Sequence, residues 1–248
     1  MADRPRDSTG RKKPIPVAMP RLATNLEKQD APDGLSDRDT ISDGLLSGIN
    51  LSGQLAAYVS LAALRLRSVD LNGTHLRAVQ LTDVGLESCD LSNADWEKGA
   101  FSRVELVGCR LTGFRAADAT LRDVTVTGCD CRLAQFRFST FKQARFEGCN
   151  LSEADFYGAD LSGVVFVGCD LTNAEMSAAK LVGTELCGSK IDGLKAGHKE
   201  LQGTVVDPMQ AVQLAGQLGL HVRWDEEAGT ADRAAVLLPR SSNARTGF

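Results

Sequence analysis

The 248-residue sequence predicts an all-β fold, a parallel solenoid of square cross-section, and three observations carry that expectation. Stepping by five in both directions from Leu171 gives an unbroken series of 34 positions, Ile41 to Val206, each occupied by Ala, Val, Ile, Leu, Met, Phe, Trp or Cys. Of the 24 glycines, 14 fall two residues after such a position, among them Gly73, Gly113, Gly148, Gly163, Gly183 and Gly203. Five cysteines, Cys89, Cys109, Cys129, Cys149 and Cys169, recur at every twentieth position, each two before the periodic one. A period of five matches neither a helix, at 3.6, nor a simple strand, at 2.

Each five-residue unit follows from this pattern. The residue two before the periodic position is usually small or apolar, as at Cys89, Ala94, Val104, Val124, Ala144, Ala154, Val164 and Ala174. Residues two apart in extended chain point the same way, so a unit carries two inward side chains. The glycine phase asks for positive φ, as at the third residue of a type II turn, so each short strand ends in a corner. The interval between cysteines equals four units, which closes one coil and stacks the cysteines in a column. Leu51, Leu71, Leu91, Leu111, Cys131, Leu151, Leu171 and Ile191 form a second column on the same grid. The 34 units then make about eight coils, roughly 40 Å long at the spacing of neighbouring strands. A coil of this kind buries its apolar side only by stacking on the next.

The repeat occupies residues 41–206 and leaves room for one domain. Residues 1–40 lack the period and begin with a Pro- and Arg/Lys-rich stretch, "MADRPRDSTGRKKPIPVAMPR". They are expected to be a disordered basic tail, as are residues 225–248 at the other end. Between them, residues 207–224 read as a capping or dimerisation helix and a short strand. Asp207 is placed to cap it, Pro208 stands at its first position, and Ala211, Leu214, Ala215 and Leu218 follow helical spacing to Gly219. "LHVRW" (220–224) alternates as a strand would. No apolar run approaches a membrane span and no signal peptide is evident, so a cytoplasmic protein is expected.

Units such as "CDLSN", "ADFYG", "ADLSG", "CNLSE" and "CDLTN" resemble the A(D/N)LXX consensus of the pentapeptide repeat family. That resemblance implies a right-handed quadrilateral parallel β-helix. The segment "VVDPMQAVQLAGQLGLHV" is similar to the C-terminus of the family's bacterial members linked to fluoroquinolone resistance. For that branch the resemblance implies a homodimer joined through the C-terminal helix, here Ala211, Leu214, Ala215 and Leu218. It also implies a surface that imitates B-DNA and occupies the DNA saddle of gyrase.

The chemistry expected is binding. His75, His198 and His221 lie far apart, no phosphate-binding loop or nucleophile motif is present, and no cofactor or metal is expected. Stacked cysteines would hold their Cβ atoms about 4.8 Å apart, beyond the usual disulfide range, so a reduced core ladder is expected. A metal site at Cys129 and Cys131 is the weaker alternative, since no histidine lies near them in sequence.

Charge is uneven along the chain. Residues 98–145 hold nine basic residues (Lys98, Arg103, Arg110, Arg115, Arg122, Arg132, Arg137, Lys142, Arg145) against four acidic ones. Residues 146–179 hold six acids, Glu147, Glu153, Asp155, Asp160, Asp170 and Glu175, and no base. Duplex DNA shows about one charge per 1.7 Å, so a 40 Å rod would need roughly 24. Residues 41–207 carry 21 acidic and 16 basic residues, a net of −5, which argues against mimicry over the full length but leaves it open over the local acidic band. The six acids are therefore the candidate partner-binding residues. Direct nucleic-acid binding through the basic middle coils and tail, and a structural scaffold with another protein partner, are the alternatives.

Overall fold

In a computed structural model the described residues are 16–29, 32, 34–217 and 219–223, and the chain divides after Ala211 into two compact units. The first unit is a parallel β-solenoid. Its main sheet stacks β1 (Thr40–Ser47), β3 (Ser60–Arg67), β5 (Gln80–Glu87), β6 (Ala100–Val107), β7 (Thr120–Thr127), β8 (Thr140–Glu147) and β9 (Val165–Val167) in that order. A second sheet pairs β2 (Leu55–Ala57) with β4 (His75–Arg77). Register advances by one coil each time, as in Leu61↔Leu81, Leu81↔Phe101 and Phe101↔Leu121.

Inward positions are filled as the five-residue period requires. All periodic residues from Leu46 to Ile191 are buried, and only Ile41, Ala196, Leu201 and Val206 at the two ends are partly exposed. Aromatic rings occupy successive levels of the interior: Phe136 stacks on Phe156 with centroids 5.2 Å apart, and Phe146 on Phe166 at 5.1 Å. Trp96 points its indole N–H at the buried Thr74 hydroxyl, 3.0 Å away, which satisfies its one polar atom. Every cysteine of the ladder is free and buried. Cys109 Sγ lies 3.4 Å from the Leu86 carbonyl one coil back, and the Cys109 N–H donates to Cys129 Sγ at 3.3 Å. Ser189 continues the same column and bonds the same way, its hydroxyl donating to Phe166 O and accepting from the Cys169 N–H.

Every corner from Arg38 to Gly193 has φ between +49° and +75°, whether or not the residue is glycine. Glycine phase was therefore a partial view of a rule that all corners obey, 19 of them with side chains. The column Asp43, Ala63, Asp83, Arg103, Asp123, Gln143 stays between +49° and +59°, and the eight-residue strands run through it. At Gly163 and Gly183 φ opens to +75° and +74°, the range of a tight type II corner, and the strand breaks there. The seven strands of the main sheet account for about six turns, fewer than the eight expected. Beyond β9 the stacking continues through isolated bridges, among them Asp160↔Lys180, Val165↔Glu185 and Glu185↔Val205.

Residues 16–29 differ from the expectation of disorder throughout 1–40. The Ala18 and Arg21 N–H groups donate to the carboxylates of Asp123 and Asp83 at 3.1 and 2.8 Å. Those acids are two coils apart, roughly 9.6 Å, which three extended residues also span. Val17 lies beside Val165, whose outward side chain is buried, and Leu22 lies over Gly85. At the far end the strap pairs with β1: Gln29 N–H donates to Leu45 O, and Leu45 N–H to Glu27 O. The Gln29 side chain reaches Ser42 O at 2.8 Å and occupies the space that a Cβ on Gly44 would need. Periodicity could not announce this segment, because it joins no coil and follows the coils lengthwise.

After the last coil comes helix α1 (Pro208–Gln217), opened as expected by Asp207 and Pro208. Asp207 accepts the Gln210 N–H at 2.9 Å while Gln210 Oε1 accepts the Asp207 N–H at 3.0 Å, a reciprocal cap. Gln210 is buried, and its Nε2 donates to both Leu186 O and Ser189 O at 2.7 Å, tying the first helical turn to the end of the stack. Gly219, with φ +78°, lies just past the helix. Leu220–Arg223 form no strand, since no neighbouring chain among the described residues offers them a ladder. Residues 1–15, Leu218 and residues 224–248 lie outside the described residues.

Leu151→Asp, at a fully buried position, should cost several kcal/mol by burying an unpaired charge. An unchanged melting temperature would refute the inward assignment. Gln210→Ala leaves two carbonyls and the Asp207 N–H without their partner and should cost about 2–3 kcal/mol in denaturant unfolding.

Candidate functional site

The outer surface of a coil carries two kinds of polar residue. In many units the residue before the inward one is Asp or Asn, and its carboxylate or amide oxygen accepts the N–H two residues on. Asp90 holds Ser92 N–H at 2.9 Å, Asp155 holds Tyr157 at 2.9 Å and Asp170 holds Thr172 at 3.0 Å. Such local bonds fix the entry to each corner. This is the structural content of the D/N in the repeat, and it engages one oxygen of the acid before any partner arrives.

The second oxygen is mostly engaged from the neighbouring coil. Arg110 lies 3.5 Å from Asp90, Arg115 2.6 Å from Asp95, Lys180 3.4 Å from Asp160 and Lys190 3.4 Å from Asp170, each pair one full coil apart. Asp170 is held below the usual carboxylate range first by the Thr172 hydroxyl and also by Lys190. Asp130 pairs instead with Arg132 at 2.8 Å, which lowers its pKa. Exposed pairs of this kind contribute up to about 1 kcal/mol each.

Of the six candidate partner-binding acids, four are therefore in ion pairs: Glu147 with Arg145, Asp155 with Arg137, Asp160 with Lys180 and Asp170 with Lys190. Glu153 and Glu175 have no ion pair among the described residues; the Glu175 carboxylate accepts the Ser177 N–H at 2.8 Å. The six are not one cluster. Asp155 and Glu175 are bridge partners on adjacent coils, while Asp160 and Asp170 stand in two other columns. The basic band is neutralised likewise: of its nine residues only Arg122 and Lys142, register partners on β7 and β8, have no ion pair among the described residues. Sequence windows missed this because charge mostly compensates from one coil to the next.

The expected dimer residues on α1 are unequally available. Ala211 is exposed, Ala215 half-buried, and Leu214 already buried within the single chain. Within the cysteine ladder the Cys109 thiol is pushed up to about 12, first by hydrogen bonding with Cys129 and further by burial. No group of three or more His, Cys, Asp or Glu with metal-binding geometry occurs among the described residues, and none of their helices is long and apolar enough to cross a membrane.

Sequence reasoning also missed an aromatic spot on the face of β2 and β4. Phe138 is 54% exposed, its ring edge-on to Tyr157 with centroids 5.6 Å apart, and the Arg137 guanidinium lies 4.8 Å from the Tyr157 centroid. Its signal was an aromatic residue in the corner phase, where glycine is commonest.

Asp83→Ala removes the acceptor of both Arg103, at 2.6 Å, and the strap N–H of Arg21, and should speed tryptic cleavage after Arg21 roughly tenfold. Arg103 and the Arg21 N–H lower the Asp83 pKa, so its contribution is complete above the ordinary carboxylate range and fades as pH falls through the lowered value. Cleavage unchanged in the variant would show that Asp83 does not hold the strap.

Comparison with known proteins agrees with this geometry. The family described as pentapeptide repeat region matches residues 79–156, and that described as pentapeptide repeats (8 copies) matches residues 60–95 and 154–193. No curated protein sequence matches. Among solved structures, a variant of QnrB1, described as a plasmid-mediated fluoroquinolone resistance protein, is 19% identical, covering 75% of this chain and 99% of its own with a TM-score of 0.43. HetL, involved in heterocyst differentiation regulation in the cyanobacterium Nostoc, is 24% identical over 68% of this chain and 90% of its own, with a TM-score of 0.30. With its four-cornered coils, left-handed corners and family matches that together run from residue 60 to 193, the chain belongs to the pentapeptide repeat family.

Proposed function

We propose that the protein is a non-catalytic binding solenoid that engages a protein partner through the outside of its coils. The filled interior supports this: every periodic residue from Leu46 to Ile191 is buried, so polar groups are displayed on the outer faces. A stack of this kind offers a partner a long, regular array of side chains at fixed spacing.

Within this class the partner is DNA gyrase, addressed through its DNA saddle by Glu147, Glu153, Asp155, Asp160, Asp170 and Glu175. The likeness of the segment around α1 to the resistance-linked branch supports that assignment, and with it a homodimer through the helix. The ion pairs shape the reading: most of the six acids share their charge with a cation, so Glu153 and Glu175 carry most of the local negative field. Direct binding of nucleic acid has less support, because seven of the nine cations in the basic band are in ion pairs.

The purified protein should inhibit gyrase supercoiling and protect the enzyme from a fluoroquinolone. The variant with all six acids changed to Asn or Gln should lose that inhibition roughly tenfold or more. Asn preserves the corner at the Asp positions, since Asn50 and Asn150 make the same turn here. Absence of inhibition by the parent protein would exclude gyrase and direct the search to another protein partner.

A further inference from the structure

Phe138 stands where a large side chain is costly. Its φ is +57°, a left-handed conformation that bulky residues rarely adopt; the corner column it shares holds Tyr58, Lys98 and Asp118 as well as Ala78, Ala178 and Gly158, and the two corners that follow it, Gly158 and Ala178, are small. Half its surface faces solvent, so little burial offsets that cost. The ring is nonetheless held in place. A Cβ on Gly158, one coil on, would meet Phe138 Cδ1 and Cε1 at 2.7 Å, so that glycine provides the bed on which the ring lies. Tyr157 closes one side at an interplanar angle of 90°.

The rings already accept one guanidinium. Arg137 lies 4.8 Å from the Tyr157 centroid and 5.9 Å from that of Phe138, while its Nη1 donates to Asp155 at 3.0 Å. By register, Asp118 lies one coil before Phe138 in its column, Glu153 one corner before Gly158, and Glu175 one coil after Asp155; none has an ion pair among the described residues. Arg137 is balanced by Asp155, so the unpaired charge left near the two rings is carboxylate, which suits a second cation and repels phosphate.

We propose that Phe138 and Tyr157, with Glu153 and Glu175, form a receptor for an arginine-bearing segment of a partner protein. This rests on the reading of the chain as a protein-binding solenoid and names the chemistry of one contact on it. An incoming guanidinium stacks on the open face of Phe138, as Arg137 does on Tyr157, and takes a carboxylate as counter-ion. Lysine fits less well, because its ammonium lacks the planar fork that stacks and bonds together.

Fluorescence anisotropy with the full chain and a labelled hexa-arginine peptide tests this, with hexa-lysine and a twelve-nucleotide oligo-dT as competing probes. Hexa-arginine should bind, and Phe138→Gly and the double variant Glu153→Gln/Glu175→Gln should each weaken it roughly tenfold. Phe138→Gly relieves the left-handed strain, so its melting temperature should equal or exceed the parent's, which separates lost binding from lost fold. No peptide binding, equal affinity for hexa-lysine, binding indifferent to Phe138→Gly, or oligo-dT binding that this variant abolishes would each overturn the receptor. Because the assay reads this contact alone, such a result leaves the gyrase test of the wider reading untouched.

Discussion

The coil-to-coil main-chain hydrogen bond is the constraint on which everything else depends. Leu51 N–H donates to Asp70 O, Leu71 N–H to Asp90 O and Leu91 N–H to Arg110 O, at 2.7–2.8 Å, while Asp70 N–H returns to Ile49 O. To keep these bonds aligned over successive coils, the chain must turn four equal corners in every coil without drifting. That is why Arg38, Tyr58, Lys98, Leu133 and Phe138 all accept positive φ. Local preference yields there to the ladder, since a corner that relaxed would misalign the bonds of both neighbouring coils.

The same constraint decides where charge can act. Stacking places each side chain directly above its counterpart one coil away, so Asp90 meets Arg110 and Asp170 meets Lys190. A protein of this type is better described by its columns than by its segments. The acidic stretch 146–179 looks strongly charged when read along the chain and much less so when read along the axis, where Arg137, Lys180 and Lys190 answer it from neighbouring coils.

Legibility followed periodicity. The inward residues, the four-cornered coil and the cap at Asp207 could be read from sequence because each depends on spacing or on residue type within a few positions. The strap of residues 16–29 could not, because its bonds to Asp83 and Asp123 are made by main-chain groups whose identity the sequence does not encode. Phe138 and Tyr157 were hidden for a different reason: they sit in outward phases, where the repeat places no demand and an aromatic residue reads as noise. Pairing of Asp155, Asp160 and Asp170 escaped because a linear window does not bring together residues that meet only through the coil.

Gln29 and its neighbours lie along β1, the strand that would otherwise present a free row of donors and acceptors at the start of the sheet. An uncovered edge of this kind invites a second solenoid to add to it, and then a third. The strap takes up Leu45 and the Ser42 carbonyl on that edge, so a second copy adding there would have to displace it. The strap thus works against fibre growth from this end of the sheet.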